Sequence, residues 1–163
     1  MLIVKWFVIV VALLVVVAIA AGQLGLLQGT PPTDLGVRDG KLKPPSMTEN
    51  SVTSQAALYP DHPQRKYADI APLRLKDDGP ATLARIKAIV EGMDGAKVVK
   101  SEPDYLYAQF TTKLMKYVDD VEFWYDPAAK VIQVRSASRV GRGDMGVNRK
   151  RIEAVRATLD PPR

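Results

Sequence analysis

The sequence predicts an α+β domain: an antiparallel sheet of about four to five strands with two helices packed on one face, preceded by an N-terminal transmembrane helix. Three observations carry this expectation. An apolar run opens the chain, with no polar residue from Trp6 to Gly22. Two later segments, starting near Asp77 and Asp144, place apolar residues at helical spacing. Between them lie four short runs with strand-like composition, separated by turn-forming residues.

Leu2 to Leu27 is apolar apart from Lys5 and Gln23. A membrane span needs about 20 apolar residues, whereas a cleavable signal has an apolar core of about 7–15. Length therefore favours a retained anchor over residues 1–28, with the small-x-small run Ala18-Ile19-Ala20 keeping cleavage as the alternative. Lys5 at the short end biases the N-terminus inward, against Arg38, Lys41 and Lys43 on the far side. The expected arrangement is a single-pass protein of a bacterial inner membrane with its domain facing the periplasm.

Residues 29–55 read as a Pro-rich linker and residues 56–160 as the compact domain. Pro31-Pro32 and Pro44-Pro45 exclude helix interiors and favour extended backbone. Ser51 to Gln55 is the first stretch able to dock on the domain. Pro72 confines Ile70 to Leu75 to a sheet edge. A helix then starts at Asp77-Asp78-Gly79-Pro80, and Leu83, Ile86, Val90 and Met93 form its apolar stripe. The strand runs are 96–100, 105–112, 117–125 and 131–138. In the second, Leu106, Ala108 and Phe110 alternate with Tyr107, Gln109 and Thr111. The last helix is expected to take Asp144 as its N-cap and to bury Asn148, Ile152, Val155 and Leu159.

Composition excludes several chemistries. The chain has no cysteine and one histidine, so thiol nucleophiles, thiolate metal sites and disulfides are ruled out. A triad or a zinc site would rest on His62 alone. No cofactor is indicated. The net charge of +5 sits at the C-terminal end, where eight Lys/Arg from position 135 onward face Asp144, Glu153 and Asp160. That end reads first as a solvated helix face and second as a surface for an anionic ligand or protein partner. Nucleic acid is not an expected partner, because the anchor carries the domain out of the cytosol.

The hairpin register follows from apolar matching. Pairing Tyr125 with Ile132 and Phe123 with Val134 sets Glu122 opposite Arg135 on the other, partly exposed face, beside Asp120 and Trp124. The same register turns Asp119 and Ser138 toward the helices, where an unpaired charge is costly. The loop Ser138 to Asp144 carries Gly141 and Gly143 ahead of a helix, an arrangement used in anion cradles, but without a Gly-Lys-Ser/Thr ending. Two readings stand. Arg139 and Arg149 fold back on Asp119 and Asp120 as a structural ion network, or Arg135, Arg139 and Arg149, with Ser136, Ser138 and Asn148, bind an anion or partner. Asp119, Asp120, Glu122 and Asp144 are the polar network in either case. A cation site is disfavoured: adjacent Asp119 and Asp120 point to opposite faces, and the arginines repel a cation.

Several motifs fall in order: Ser-Val-Thr-Ser-Gln at 51–55, Ala-Pro-Leu at 71–73, Val-Asp-Asp-Val-Glu-Phe at 118–123, Val-Arg-Ser-Ala-Ser-Arg at 134–139, and Asp-Met-Gly-Val-Asn-Arg-Lys-Arg-Ile at 144–152. Together they resemble the domain-of-unknown-function 1499 family over about residues 44–159. The resemblance implies a bacterial or plastid domain behind a hydrophobic segment and brings no activity with it. Ser51 stands where the family commonly has cysteine, so a thiol role does not transfer, whereas a hydrogen-bonding role can. The expected function is a membrane-anchored extracytoplasmic binding or interaction module, more a binder than an enzyme. The alternative is a hydrolase-like enzyme using Asp119, Asp120 or Glu122.

Overall fold

A computed structural model describes residues 1–161. In chain order the elements are α1 (Leu2–Gln23), β1 (Ser51–Thr53), a 3-10 turn at Ala56–Leu58, α2 (Arg65–Ala68), β2 (Leu73–Arg74), α3 (Gly79–Glu91), β3 (Ala96–Ser101), β4 (Tyr105–Thr111), β5 (Val118–Asp126), β6 (Val131–Ser138) and α4 (Val147–Leu159). The strands form a six-stranded sheet in the order β1-β6-β5-β4-β3, and β2 pairs with β6 beside β1. These strands all pair antiparallel. The two extra strands are the short docking stretches at 51–53 and 73–74, both on the outer edge of β6. β3 is the other edge, and its pairing with β4 shifts register between Val98 and Lys100.

The β5–β6 hairpin has the register that apolar matching predicts, with Tyr125 opposite Ile132, Phe123 opposite Val134 and Glu122 opposite Arg135. Leu106, Ala108 and Phe110 of β4, Val121 and Phe123 of β5, and Ile132 and Val134 of β6 share one core with Leu83, Ile86 and Val90 of α3 and Ile152, Val155 and Leu159 of α4. Each of the Val, Leu, Ile and Phe side chains among them contributes about 1.5–3 kcal/mol on burial. The Asp78 carboxylate, which accepts from the Ala81 amide at 2.7 Å, adds about 1 kcal/mol as the N-cap of α3. The stripe, not the cap, holds this helix.

The last helix starts later than expected. Met145 and Gly146 take left-handed backbone (φ 50° and 76°), and α4 begins at Val147. Asp144 still serves it from two residues before the cap, accepting from the Asn148 amide at 3.0 Å.

The stretch read as a linker is a covering. Leu42 packs with Tyr105 and Trp124 on the sheet face opposite the main core, with Val37 and Tyr107 alongside. The Leu42 amide donates to Gln55 Oε1 at 2.8 Å, and Gln55 Nε2 donates to Gly40 O at 3.0 Å. Lys43 Nζ pairs with Asp34 at 2.7 Å. Together with β1, these contacts start the folded unit well before residue 56. Proline keeps this strap extended, and backbone groups make much of its attachment, so its sequence shows no apolar period. As a result Glu122 and Arg135, expected on a partly exposed face, are buried.

The apolar helix α1 is long enough to cross a membrane. Its last residues touch the β4–β5 loop: Gln23 Nε2 donates to Leu114 O at 2.8 Å and to Lys113 O at 3.2 Å.

Candidate functional site

The sheet carries polar residues on both faces. On the helix side, Asp119 is met by Arg151, whose Nη2 donates to Asp119 Oδ2 at 2.6 Å. The same guanidinium stacks over Phe110, 4.5 Å from the ring centre, and donates through Nη1 to Ser136 Oγ at 3.0 Å and to Asn148 Oδ1 at 2.9 Å. Asn148 Nδ2 donates to Asn50 O, Ser138 Oγ and Asp144 Oδ2. Asp144 also accepts from the Gly146 amide and the Tyr67 hydroxyl. Burial pushes the Asp144 carboxyl upward, but the hydrogen bonds from Tyr67, Gly146 and Asn148 together outweigh it and hold it below the usual range. Burial, then the same contact, pushes the Tyr67 phenol up to about 12. The cluster is closely satisfied and ties β1, β6 and α4 together.

The strap side is built differently. Tyr105 and Tyr107 alternate with the core residues of β4 and reach diagonally across to β5. Tyr105 donates to Glu122 Oε1 at 2.7 Å, and Tyr107 donates to Asp120 Oδ1 at 2.6 Å. Arg139 grips Asp120 with two prongs, Nε to Oδ2 at 2.8 Å and Nη2 to Oδ1 at 2.7 Å. Glu122 is completely buried and accepts a second bond at Oε1 from the Gly36 amide of the strap, at 2.7 Å. Its other oxygen, Oε2, has no hydrogen-bond partner. Arg135 lies 3.9 Å from that oxygen, beyond hydrogen-bonding distance.

Arg135 is 4% exposed, yet among the described residues it donates one hydrogen bond, from Nε to Pro44 O at 3.3 Å. Burial pushes the Glu122 carboxyl above its usual range, against the lowering effect of Gly36, Tyr105 and Arg135. Burial also lowers Arg135, but a guanidinium starts so high that it keeps its charge. The nearest acid is thus driven toward neutrality while the base stays positive.

Between strap and sheet lies a cavity of about 560 Å³, bordered by Arg135, Arg139, Lys43, Ser46, Asn50 and Ser138 among others. Its acids are Asp34, paired with Lys43, and Asp120, paired with Arg139. Asn50 is fixed at its rim by donating to Gly141 O at 2.9 Å, and its own Oδ1 is buried without a partner.

The expected site residues therefore separate. Arg135, Arg139, Asp120 and Glu122 meet on the strap side, with Ser138 at the border. Ser136, Asn148, Asp119 and Asp144 belong to the helix-side cluster. Arg149 joins neither acid: its Nη2 donates to Tyr67 O at 2.6 Å. Arg151 takes the place expected for Arg149, and Arg156, in the helix read as solvated, donates to Ala71 O and Pro72 O. Sequence reading missed Tyr105, Tyr107, Lys43, Asn50 and Arg151. The tyrosines were signalled by their alternation with Leu106 and Ala108, and Arg151 by lying three residues beyond Asn148 on the buried stripe.

Fold and site define a mixed helix-and-sheet domain with a buried arginine facing a strap-covered cavity, behind a helix apolar enough to span a membrane. The chain belongs to the family described as "Protein of unknown function (DUF1499)", which matches residues 41–159. The match takes in most of the cavity wall, including Lys43, Arg135 and Arg139, but not Thr30 to Asp34. The Ser51 hydroxyl accepts the strap's Ser46 amide at 2.8 Å. No curated protein and no solved structure matches the chain.

Proposed function

We propose that this domain is a membrane-tethered, extracytoplasmic binding module whose ligand places a phosphate or carboxylate group against Arg135 in the cavity under the strap. One observation carries the reading: a guanidinium almost wholly removed from water, with one hydrogen bond and an acid neighbour pushed toward its neutral form, borders an open volume. Guanidinium offers five donors in a fork that matches such oxyanions. With Lys43 paired to Asp34 and Arg139 to Asp120, Arg135 carries the positive charge left for a ligand, and about 560 Å³ is within the usual range for small-molecule sites. The hydrolase alternative gains no support here, because Asp119, Asp120 and Glu122 are each engaged by donors from the fold.

The full chain in detergent micelles, titrated with inorganic phosphate at constant ionic strength, tests the site. A saturable rise in the melting midpoint that chloride does not reproduce is expected, and it is expected to vanish in Arg135→Met. A midpoint indifferent to phosphate, or equal stabilisation of the variant, would refute the anion site. The tether is tested separately with a periplasm-dependent reporter fused to the C-terminus, expected active only outside the cytoplasm.

A further inference from the structure

We infer that the domain makes a second contact with the membrane: the face formed by loop 112–117 and turn 140–147 rests on the phospholipid surface, with Leu114 and Met145 in its apolar boundary. This rests on reading α1 as a retained membrane span. Twenty-two residues of helix extend about 33 Å, close to the hydrocarbon thickness of about 30 Å, so Gln23 falls at the boundary.

The domain is held against that point. Gly22 is seated on the β4–β5 loop so closely that a Cβ there would lie 2.7 Å from Met115 O. Gln23 adds its two hydrogen bonds to the Lys113 and Leu114 carbonyls. Gly29 repeats the close approach further on, where a Cβ would lie 2.8 Å from both Arg139 Cβ and Val140 Cγ1. Two loops of the domain are therefore within a side chain's length of the strand of chain leaving the bilayer.

Their surface suits that position. Leu114 is 57% exposed and Met145 is 92% exposed. Tyr117, Met145 and Val147 border one hollow of about 420 Å³ with Thr112, which makes the two loops one continuous surface. Leu24 and Leu26, just past α1, are 77% and 73% exposed. Lys116, Arg142 and Lys150 belong to the same loops and the first turns of α4, as basic residues at a headgroup layer do. A tyrosine such as Tyr117 is at home at this depth. Apolar tips within a cationic frame, fixed beside the end of a span, fit a phospholipid surface.

The absence of cysteine makes the test direct, since single substitutions take a unique label. The full chain is reconstituted in mixed phosphatidylcholine–phosphatidylglycerol vesicles with an environment-sensitive fluorophore on Leu114→Cys, Met145→Cys, Leu14→Cys or Ala129→Cys. Leu14 lies within α1, and Ala129 lies on the exposed turn at the other end of β5, about 30 Å along the strand. Labels at 114 and 145 are expected to emit to the blue of the label at 129 and to be quenched by a lipid-borne nitroxide. If 14 is quenched while 114 and 145 behave like 129, the second contact is refuted and the span stands. If 14 also reports water, the anchor reading fails, and the inference falls with it.

Discussion

The two faces of the sheet bury polar groups in opposite ways. On the helix side, Asp119, Asn148, Asp144 and Arg151 lie against an apolar core and find partners within one another's reach. On the strap side, a thin extended segment seals Glu122 and Arg135 with a carboxylate oxygen left over and a guanidinium barely used. A buried network that closes on itself holds a fold together, whereas one that leaves donors and acceptors over has room for something else. Burial alone does not distinguish scaffold from site; the count of unmet hydrogen bonds does.

That contrast can be broken by substitution. Arg151→Ala and Arg139→Ala each strand a buried carboxylate, Asp119 or Asp120, and each is expected to cost about 3–5 kcal/mol in chemical denaturation. A small loss at Arg151 would mean that the helix-side network is not structural. Asn148→Ala removes the amide that joins β1, β6 and Asp144, and a loss of about 1–3 kcal/mol is expected in the same measurement.

The strap side is read best through pH. The Glu122 carboxyl is raised in the folded chain, so the fold holds more protons than the unfolded chain between the ordinary glutamate value and the raised one. Glu122 therefore costs no stability below that window, and stability falls as pH rises through it. Glu122→Gln keeps the acceptor for Gly36 and Tyr105 and is expected to flatten that fall, as measured by melting midpoints across the weakly acidic to neutral range. An unchanged slope would place the titration elsewhere. Arg135→Met should have the smallest effect, below about 1 kcal/mol or slightly stabilising, because the empty site gains little from a poised charge. A loss as large as that of Arg139→Ala would make Arg135 part of the scaffold.

The parts of this molecule that were legible in the sequence are those whose signal is periodic. Leu83, Ile86 and Val90 announce a helix, and Phe123 and Val134 fix a register that brings Glu122 opposite Arg135. The arginine partners were harder, because Arg149 and Arg151 differ by about 200° around a helix, and only the phase of α4 decides which one reaches Asp119. The strap was illegible for another reason. Gly36 and Leu42 attach through backbone amides, which any residue but proline supplies, so no side-chain pattern marks a segment that covers half of the site.

The register shift in β3 has a consequence for where the sheet ends. With β1 and β2 sharing one border, β3 is the open border of the sheet, and Val99 sits unpaired at the irregularity, half exposed, with Lys97 and Lys100 nearby. A straight apolar border would invite the same strand of a neighbouring molecule to zip alongside. The kink breaks the hydrogen-bond ladder, and two like charges would face two more across any such seam. The broken ladder and the lysines at this border thus disfavour the addition of a further strand at β3.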